Sequence, residues 1–342
     1  MQSYFWLYGV AVFFSSFFLT ALLRKYALAR SIMDIPNDRS SHKVPTPRGG
    51  GVAIVLTFLA ALGAMASGSL ISSEFAISLA GAGAVVAIIG FLDDHGHIPA
   101  RWRLIGHFFS ALWALWWLGG MPPVTIFSFT FSLGLIGYVF GALYLVWMLN
   151  LFNFMDGIDG IASIQALCTC LGGVGLYYVV GSGTSALACG ALAIAVIGFL
   201  VWNFPPARIF MGDAGSGFLG VVLGILSLQA AWVSSSMLWG WLILMGVFIV
   251  DATFTLIRRL ARGDKVYEAH RSHAYQFASR HYGSHRRVTL AVLAINVLWL
   301  APLAFICVIY DIEGLSMTAL AYLPLVFLAF KFHAGELEKP CE

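Results

Sequence analysis

The sequence predicts an all-α, polytopic membrane protein. Of its 342 residues, 60% are hydrophobic and only 10% are charged. Apolar runs of around 18–20 residues recur along nearly the whole chain, and each is long enough to cross a bilayer as a helix. All 19 Lys and Arg residues fall in alternate connections between these runs, as expected of a chain threaded back and forth through a membrane.

The apolar runs predict about eleven (10–11) transmembrane helices within one domain, residues 1–342. The count is open by one because of residues 121–133. There, Pro122-Pro123 is followed by IFSFTFSL, whose alternation is typical of a strand or an interfacial segment. The predicted spans are 4–23, 50–67, 75–92, 104–119, 133–150, 161–180, 185–201, 217–234, 237–257, 288–310 and 315–332.

The distribution of basic residues predicts the orientation. Cytoplasmic connections of membrane proteins are enriched in Lys and Arg, so the N-terminus is expected in the periplasm and the C-terminus in the cytoplasm. Arg24 and Lys25 follow the first apolar run and no basic residue precedes it, which favours a retained helix over a cleaved signal. The basic connections are 24–49, 101–103, Arg208, 258–287 and the C-terminal end.

Two other function classes are disfavoured by composition. The net charge of +3 is no evidence for nucleic acid, because the basic residues lie first of all at membrane edges. The five cysteines suggest no metal or disulfide framework, since Cys168 and Cys170 would point to opposite sides of a helix.

The most polar stretch in an apolar context is Asn150–Gly160, NLFNFMDGIDG. A carboxylate inside the bilayer costs about 2.5–3.5 kcal/mol on insertion scales, so these aspartates are expected at a water-filled membrane edge. Phe91–Asp94 and Phe210–Gly217 have the same character. We expect the three stretches to meet at one face of the membrane and to build a site for Mg²⁺ and a nucleotide.

Two geometries are open for the central stretch. If the helix continues through it, Asn153, Asp156 and Asp159 share a broad face. Gly157 and Gly160 would then keep bulk away, so that a flat base or a diphosphate fits there. The alternative is a simple Asp-Gly turn.

Asp93 and Asp94 come directly at the end of a predicted span. Adjacent carboxylates repel each other, so a cation or a raised pKa should accompany them. One could support a metal, or pair with a base such as Arg101, while the other accepts a proton. The alternative is a solvated helix end neutralised by Arg101 and Arg103.

The first cytoplasmic loop and the loop before Asp213 both offer groups that suit phosphates. Lys43 and Arg48 are candidate phosphate-binding cations, or else anchors of a rigid turn. Asp213 stands in a glycine-rich turn that opens a helix, a setting that favours anions. Phe210 is available for base stacking or as an interfacial anchor.

Two further features allow both a functional and a structural interpretation. Asp251 lies inside a predicted span, with Arg258 seven residues later on the same face, so it is either a functional carboxylate or half of a structural pair. The motif HRSH at 270–273 is either a phosphate clamp or a set of solvated loop residues.

In this order, the motifs resemble those of the polyprenyl-phosphate N-acetylhexosamine-1-phosphate transferases. The resemblance implies an eleven-helix fold with its active site on the cytoplasmic face, formed by loops 24–49, 93–103, 150–160, 202–216 and 258–287. The matching motifs are PTPRGGG (45–51), Asp93-Asp94, NFMDGIDG (153–160), NFPPARIFMGDAGSG (203–217) and HRSH (270–273).

The resemblance also implies roles for single residues. Asp213 matches the Mg²⁺-binding aspartate, with Mn²⁺ able to take the place of Mg²⁺, and Asp93 matches the residue that deprotonates the lipid phosphate. The other catalytic matches are Asp94, Asp156 and Asp159. The substrate-binding matches are Asn153, Asn203, Phe210, His270, Arg271 and His273, joined by the loop cations Lys43 and Arg48.

The implied activity is transfer of an N-acetylhexosamine-1-phosphate from a UDP-sugar to undecaprenyl phosphate, with release of UMP, in the bacterial inner membrane. HRSH replaces a denser histidine cluster, and this variant resembles the branch that starts O-antigen and lipopolysaccharide synthesis. The implied sugar is FucNAc-, QuiNAc- or GlcNAc-like. The expected partners are the two substrates and membrane lipid, without nucleic acid; a homodimer is an open possibility.

Two other classes of membrane protein fit the sequence less well. An ion-coupled transporter would carry charges near the bilayer midplane, whereas here nearly all charges lie at the cytoplasmic edge. A CDP-alcohol phosphotransferase would carry a DGxxAR signature, but DGIDGIA lacks the arginine.

Overall fold

The fold is helical throughout most of the chain. The computed structural model describes residues 2–36, 44–96, 98–265 and 271–337. The helices are α1 Gln2–Ala29, α2 Val52–Ser67, α3 Ser73–His95, α4 Ala100–Leu118, α5 Gly134–Met155, α6 Ile161–Val179, α7 Leu187–Asn203, α8 Asp213–Val233, α9 Ser235–Leu244, α10 Gly246–Arg262, α11 Ala274–Tyr282, α12 His285–Ile295, α13 Ala301–Ile309 and α14 Gly314–Lys331. A 3₁₀ turn, Gly183–Ala186, precedes α7, and a π-helical segment, Asn296–Leu300, joins α12 to α13.

Eight helices in these ranges are long and apolar enough to cross a membrane, or nine if α9 and α10 count as one bent span. Every predicted span overlaps one helix or, for 237–257 and 288–310, consecutive helices, but the predicted number of eleven is not confirmed. The reason is that α2 has only 16 residues and that α4, which carries Arg101 and Arg103, is not among the eight. A polytopic, all-α membrane protein is therefore the fold class, and its orientation stays a prediction.

A polar network inside the helix bundle fixes two irregular helices. The axes of α9 and α10 differ by 73° at a short break. There, Gln165 Nε2 on α6 donates to the carbonyl oxygen of Leu244 at 2.9 Å. The amides of Gln165 and Asn296 bond to each other in both directions, at 3.0 and 3.3 Å. Buried polar groups require such partners, so this pair ties the bend to the π-helical segment.

Residues 121–133 contain a β-hairpin, which confirms the strand interpretation. Two short strands, Val124–Ile126 and Phe129–Phe131, pair antiparallel. The turn residues Phe127 and Ser128 both have positive φ, 47° and 67°, as a tight two-residue hairpin turn requires.

Helix α8 lies at the centre of the bundle because its neighbours approach it through glycines. A Cβ added to Gly90 of α3 would lie 2.5 Å from the backbone nitrogen of Ala214. A Cβ at Gly220 would collide with the backbone of α5 at Met148. Small residues allow helix backbones to approach this closely. The first turn of α8 is therefore held against the C-terminal ends of α3 and α5.

Candidate active site

Polar side chains from three helix ends meet beside the first turn of α8. Asn153, near the end of α5, donates from Nδ2 to Asp213 Oδ1 at 3.0 Å. Asp94, near the end of α3, accepts from the backbone nitrogen of Ala214 at 3.5 Å. The structure therefore brings Asp93, Asp94, Asn153 and Asp213 together, as the sequence predicts for these stretches.

Arg103 joins two of the carboxylates. Its Nη1 lies 2.5 Å from Asp93 Oδ2, and its Nη2 lies 3.9 Å from Asp213 Oδ2. The other oxygen of Asp93 accepts from the backbone nitrogen of Ile98 at 2.9 Å. Arg103, on the first turn of α4, thus faces the carboxylate cluster. The expected basic partner, Arg101, instead lies over the ring of Trp102.

Arg48 provides the second cation of the cluster. Its Nε lies 4.0 Å from Asp94 Oδ1, and its Nη2 donates to the backbone oxygen of Asp94. Arg48 leads into Gly50 and Gly51, whose nitrogens donate to the backbone oxygens of Phe210 and Met211 at 2.9 and 2.8 Å. The first loop is therefore bonded along the loop that precedes α8. Lys43, its other predicted cation, lies outside the described residues.

The central stretch is a turn. Helix α5 ends at Met155, α6 begins at Ile161, and Gly160 has a φ of +73°. The helical alternative, with Asn153, Asp156 and Asp159 on one face, is therefore wrong, because the backbone leaves the helix at Asp156, before the left-handed Gly160 that precedes α6.

The space beside Gly157 is also not open to a ligand. A Cβ at Gly157 would collide with the hydroxyl of Tyr275, which donates to the backbone oxygen of Phe154 at 3.0 Å. The expectation that Gly157 leaves room for a base or a diphosphate is therefore wrong: a tyrosine of α11 fills that room.

Asp156 is half-buried, directly after α5. The pKa of the Asp156 carboxyl is raised well above its ordinary value. Burial is the largest cause, and the negative charges of Asp213, Asp94 and Asp159 add to it. Such a carboxylate ionises more easily when a cation lies nearby.

The donor set suits a hard cation that is shared with a substrate. Asp93, Asp94, Asp156 and Asp213 carry four formal negative charges, and Arg48 and Arg103 offset two of them. Within the described ranges, no three His, Cys, Asp or Glu side chains converge tightly enough to bind a metal alone. Mg²⁺ commonly takes one or two carboxylates and completes its shell with substrate phosphates and water.

Asp159 faces away from this cluster. Its Oδ1 lies 3.0 Å from Nδ1 of His285, and its Oδ2 accepts from the backbone nitrogen of Ala207 at 2.9 Å. Asp159 therefore fixes the loop before α8 to the first residue of α12.

A cavity of about 670 Å³ opens beside Asp159 and Phe210. It is of the size of small-molecule sites, and one of its walls is basic. No motif in the sequence marks the residues of that wall, which are three of the many basic residues between 258 and 287. The wall is formed by Arg280, His285 and Arg286, opposite Thr46, Pro205, Pro206 and Phe210.

Asn203 is only 2% exposed. Its Oδ1 accepts from the backbone nitrogen of Gly160 at 3.1 Å and its Nδ2 donates to the backbone oxygen of Ile209 at 3.0 Å. Both polar atoms of the amide are thus bonded within the protein and hold the two loops together. Its contact with a nucleoside stays a prediction.

Residues 271–273 of the HRSH motif lie directly before α11. His270 lies outside the described residues, and Arg271, half-buried, accepts through its backbone oxygen from Arg280 Nη2 at 3.2 Å. His273 is buried at 2% exposure, and its ring lies alongside that of Tyr275. A phosphate-binding role for this motif stays a prediction.

Asp251 anchors α11. It accepts from the backbone nitrogens of Ala274 and Tyr275, both at 3.0 Å, so its negative charge lies at a helix N-terminus. Arg258 instead bonds Glu336 at 2.7 Å. The predicted Asp251–Arg258 pair is therefore wrong, and the carboxylate bonds to the N-terminus of α11 instead.

Comparisons with known proteins show which proteins the chain resembles. The family model described as glycosyl transferase family 4 matches residues 76–231. The chain is 30% identical to a probable undecaprenyl-phosphate N-acetylglucosaminyl 1-phosphate transferase of Bacillus subtilis (strain 168), over 82% of this chain and 79% of the relative.

Two other relatives are similar to the same degree. An undecaprenyl-phosphate alpha-N-acetylglucosaminyl 1-phosphate transferase of Thermotoga maritima is 30% identical over 86% of this chain and 90% of its own. A decaprenyl-phosphate N-acetylglucosaminephosphotransferase of Mycobacterium tuberculosis is 30% identical over 87% and 80%.

Proposed function

Because the chain belongs to the polyprenyl-phosphate N-acetylhexosamine-1-phosphate transferases of glycosyl transferase family 4, we propose that it transfers a sugar-1-phosphate from a UDP-N-acetylhexosamine to undecaprenyl phosphate. The observation that carries this proposal is the convergence of four aspartates and two arginines at the first turn of α8, together with a cavity beside Phe210 that has a basic wall. Two anionic substrates must meet in this reaction, and the site offers groups of both charges.

The donor would occupy the cavity of about 670 Å³. Phe210 offers a ring for the base, because aromatic side chains stack on nucleobases regardless of sequence. Arg280 and Arg286 on the opposite wall suit the charged part of the donor, since a guanidinium forms charge-assisted bonds to phosphate oxygens.

Mg²⁺ is proposed as the cofactor. Asp213 would hold it, with Asp94 and Asp156 close by, since the carboxylates outnumber the arginines there. When bound, the cation would neutralise negative charge on the diphosphate and on the leaving UMP. Asn153 would keep Asp213 in position through the 3.0 Å bond to Oδ1.

The proposed transfer is a single displacement. An oxygen of the lipid phosphate forms a bond to the β-phosphorus of the UDP-sugar. The bond from that phosphorus to the bridging oxygen breaks, and UMP leaves with the electron pair. Asp93 would accept the proton of a monoprotonated lipid phosphate. Both oxygens of its carboxylate are occupied, one by Arg103 and the other by the backbone nitrogen of Ile98, so Asp93 would have to exchange one of these contacts for the lipid phosphate.

The sugar and the pathway are finer proposals. The relatives named above act, by their descriptions, with N-acetylglucosamine, which makes a GlcNAc donor the first to test, followed by FucNAc- and QuiNAc-like donors. The HRSH motif supports the O-antigen branch and hence a place in lipopolysaccharide synthesis in the bacterial inner membrane.

The test is an assay of the purified protein with undecaprenyl phosphate and a panel of UDP-N-acetylsugars. Formation of lipid-linked sugar diphosphate with an equal amount of UMP is expected for one donor, and none is expected with UDP-glucose. Uptake of labelled sugar into proteoliposomes without UMP release would instead support a transporter.

A further inference from the structure

A second cavity, of about 390 Å³, lies between α10, α11, α12 and α14. It adjoins the first turns of α10, directly after the 73° bend. Apolar side chains from all four helices form its walls, among them Val250, Ala278, Val292 and Leu325, and Ala291 leaves space at its open side. We call this cavity the α10–α14 groove.

Two cations line the groove. Arg287 lies in the first turn of α12 and Lys331 is the last residue of α14. Both side chains are exposed, and neither has a carboxylate partner within the part of the chain that the structure describes. Asp251 also lines the groove, but its two oxygens accept from the backbone of α11.

We infer that the α10–α14 groove binds one anionic phospholipid of the surrounding bilayer, with an acyl chain against the apolar walls and the phosphate between Arg287 and Lys331. Charge complementarity supports this occupant. Basic residues at a membrane edge attract anionic headgroups. The apolar walls of the groove suit an acyl chain, and the two cations suit the phosphate of the headgroup.

This site is separate from the carboxylate cluster. Helix α11 presents Ser279 and Arg280 to the proposed donor cavity and Ala278 and Tyr282 to the groove. The lipid would therefore support the back of the donor cavity without taking part in transfer, and its binding does not depend on the proposed function.

The experiment measures lipid retention by the full-length protein in an uncharged detergent, by native mass spectrometry. Phosphatidylglycerol and phosphatidylcholine are titrated separately. One tightly retained phosphatidylglycerol is expected, and no comparable phosphatidylcholine. Removing both cations, in Arg287→Ala/Lys331→Ala, should weaken retention about thirtyfold, from roughly fivefold per cation. Lys25→Ala, an exposed cation on α1, is the matched control and should retain the lipid.

A second variant tests the apolar part. Ala291→Trp keeps both cations and fills the groove from an exposed position, so phosphatidylglycerol retention should also fall. Equal retention of both lipids would overturn the inference, as would a double variant that behaves like Lys25→Ala. Stoichiometric displacement of phosphatidylglycerol by undecaprenyl phosphate would overturn it as well, because the groove would then belong to the acceptor.

Discussion

The side-chain amide of Asn153 donates to Asp213 Oδ1 at 3.0 Å and to the hydroxyl of Ser216 at 3.1 Å. This single amide joins the last turn of α5 to the first turn of α8. It leaves the other oxygen of Asp213 on the side of Arg103, at 3.9 Å. The orientation of the proposed metal-binding carboxylate is therefore set by a neighbour 60 residues earlier in the chain.

The first prediction concerns that carboxylate. Asp213→Asn keeps the shape of the side chain but removes its charge, so UMP release should fall on the order of 10³-fold, corresponding to several kcal/mol of lost charge stabilisation. The variant should still fold. The measurement is UMP release against Mg²⁺ concentration, with Asp264→Asn, in an exposed ion pair with Arg262, as the control. Near-normal turnover would contradict the assignment.

The second prediction concerns the base. Phe210→Ala should weaken UDP-sugar binding by about 1–3 kcal/mol, the usual value of base–aromatic stacking, and should affect the lipid acceptor less. The backbone of Phe210 bonds Pro47 and Gly50 at 2.8 and 2.9 Å, so the loop should survive the truncation. Binding is measured by titration with UDP-GlcNAc, with Phe131→Ala in the hairpin as the control. Unchanged affinity would leave Phe210 as an interfacial anchor.

The third prediction separates Asp93 from Asp94. A phosphate monoester has a second pKa near 6, so a proton acceptor is needed chiefly below neutral pH. Asp93→Asn should lose most activity at low pH and recover partly as the pH rises, whereas Asp94→Asn should change the Mg²⁺ requirement. Rate profiles from acid to alkaline pH at saturating metal test this. Equal inactivity of Asp93→Asn at every pH would refute its role as a base.

The fourth prediction follows from the raised pKa of Asp156. A carboxyl with a higher pKa in the folded state binds more protons folded than unfolded. Its burial therefore lowers the free energy of unfolding once the pH rises above 3.8, the ordinary pKa of an aspartate. Without metal, Asp156→Asn should therefore raise the melting temperature at neutral pH and leave it nearly unchanged at pH 4. Melting curves across this range decide it. An equal shift at both pH values would point to packing instead.

The fifth prediction concerns the bend between α9 and α10. Gln165→Leu should destabilise the protein by about 1 kcal/mol, because it leaves the amide of Asn296 short of a partner inside the membrane. Gln165→Leu/Asn296→Leu should cost less than the sum of the single changes. The unfolding midpoints of the four proteins in detergent measure this coupling. Strict additivity would show that the pair contributes no joint stabilisation.

The sequence allowed the helices to be predicted because long apolar runs have few other solutions in a membrane. It also indicated which helix ends carry the carboxylates, since charges are costly away from the membrane edge. The sequence did not determine which arginine pairs with which carboxylate. Arg101 and Arg103 differ by two positions, and only the rotation of α4 decides which one faces Asp93.

Other contacts have no local signal in the sequence. His285 meets Asp159 across 126 residues, and Tyr275 fills the space beside Gly157 from another helix. The turn after Met155 was predicted as one of two alternatives, and the structure shows that the helix already ends there, with Asp156 as its C-cap.

The close backbone contacts around α8 imply that one half of the site tolerates few substitutions, whereas the other half can vary. A Cβ on Gly51 would lie 2.5 Å from the Cα of Gly215, so this side cannot change its residues without moving the carboxylates. The basic wall of the cavity, with Arg280 and Arg286, is built from exchangeable side chains of α11 and of the first turn of α12. Changes in how tightly the proposed donor is held, during divergence or in a laboratory selection, are therefore expected to arise through that wall while the chemistry stays the same.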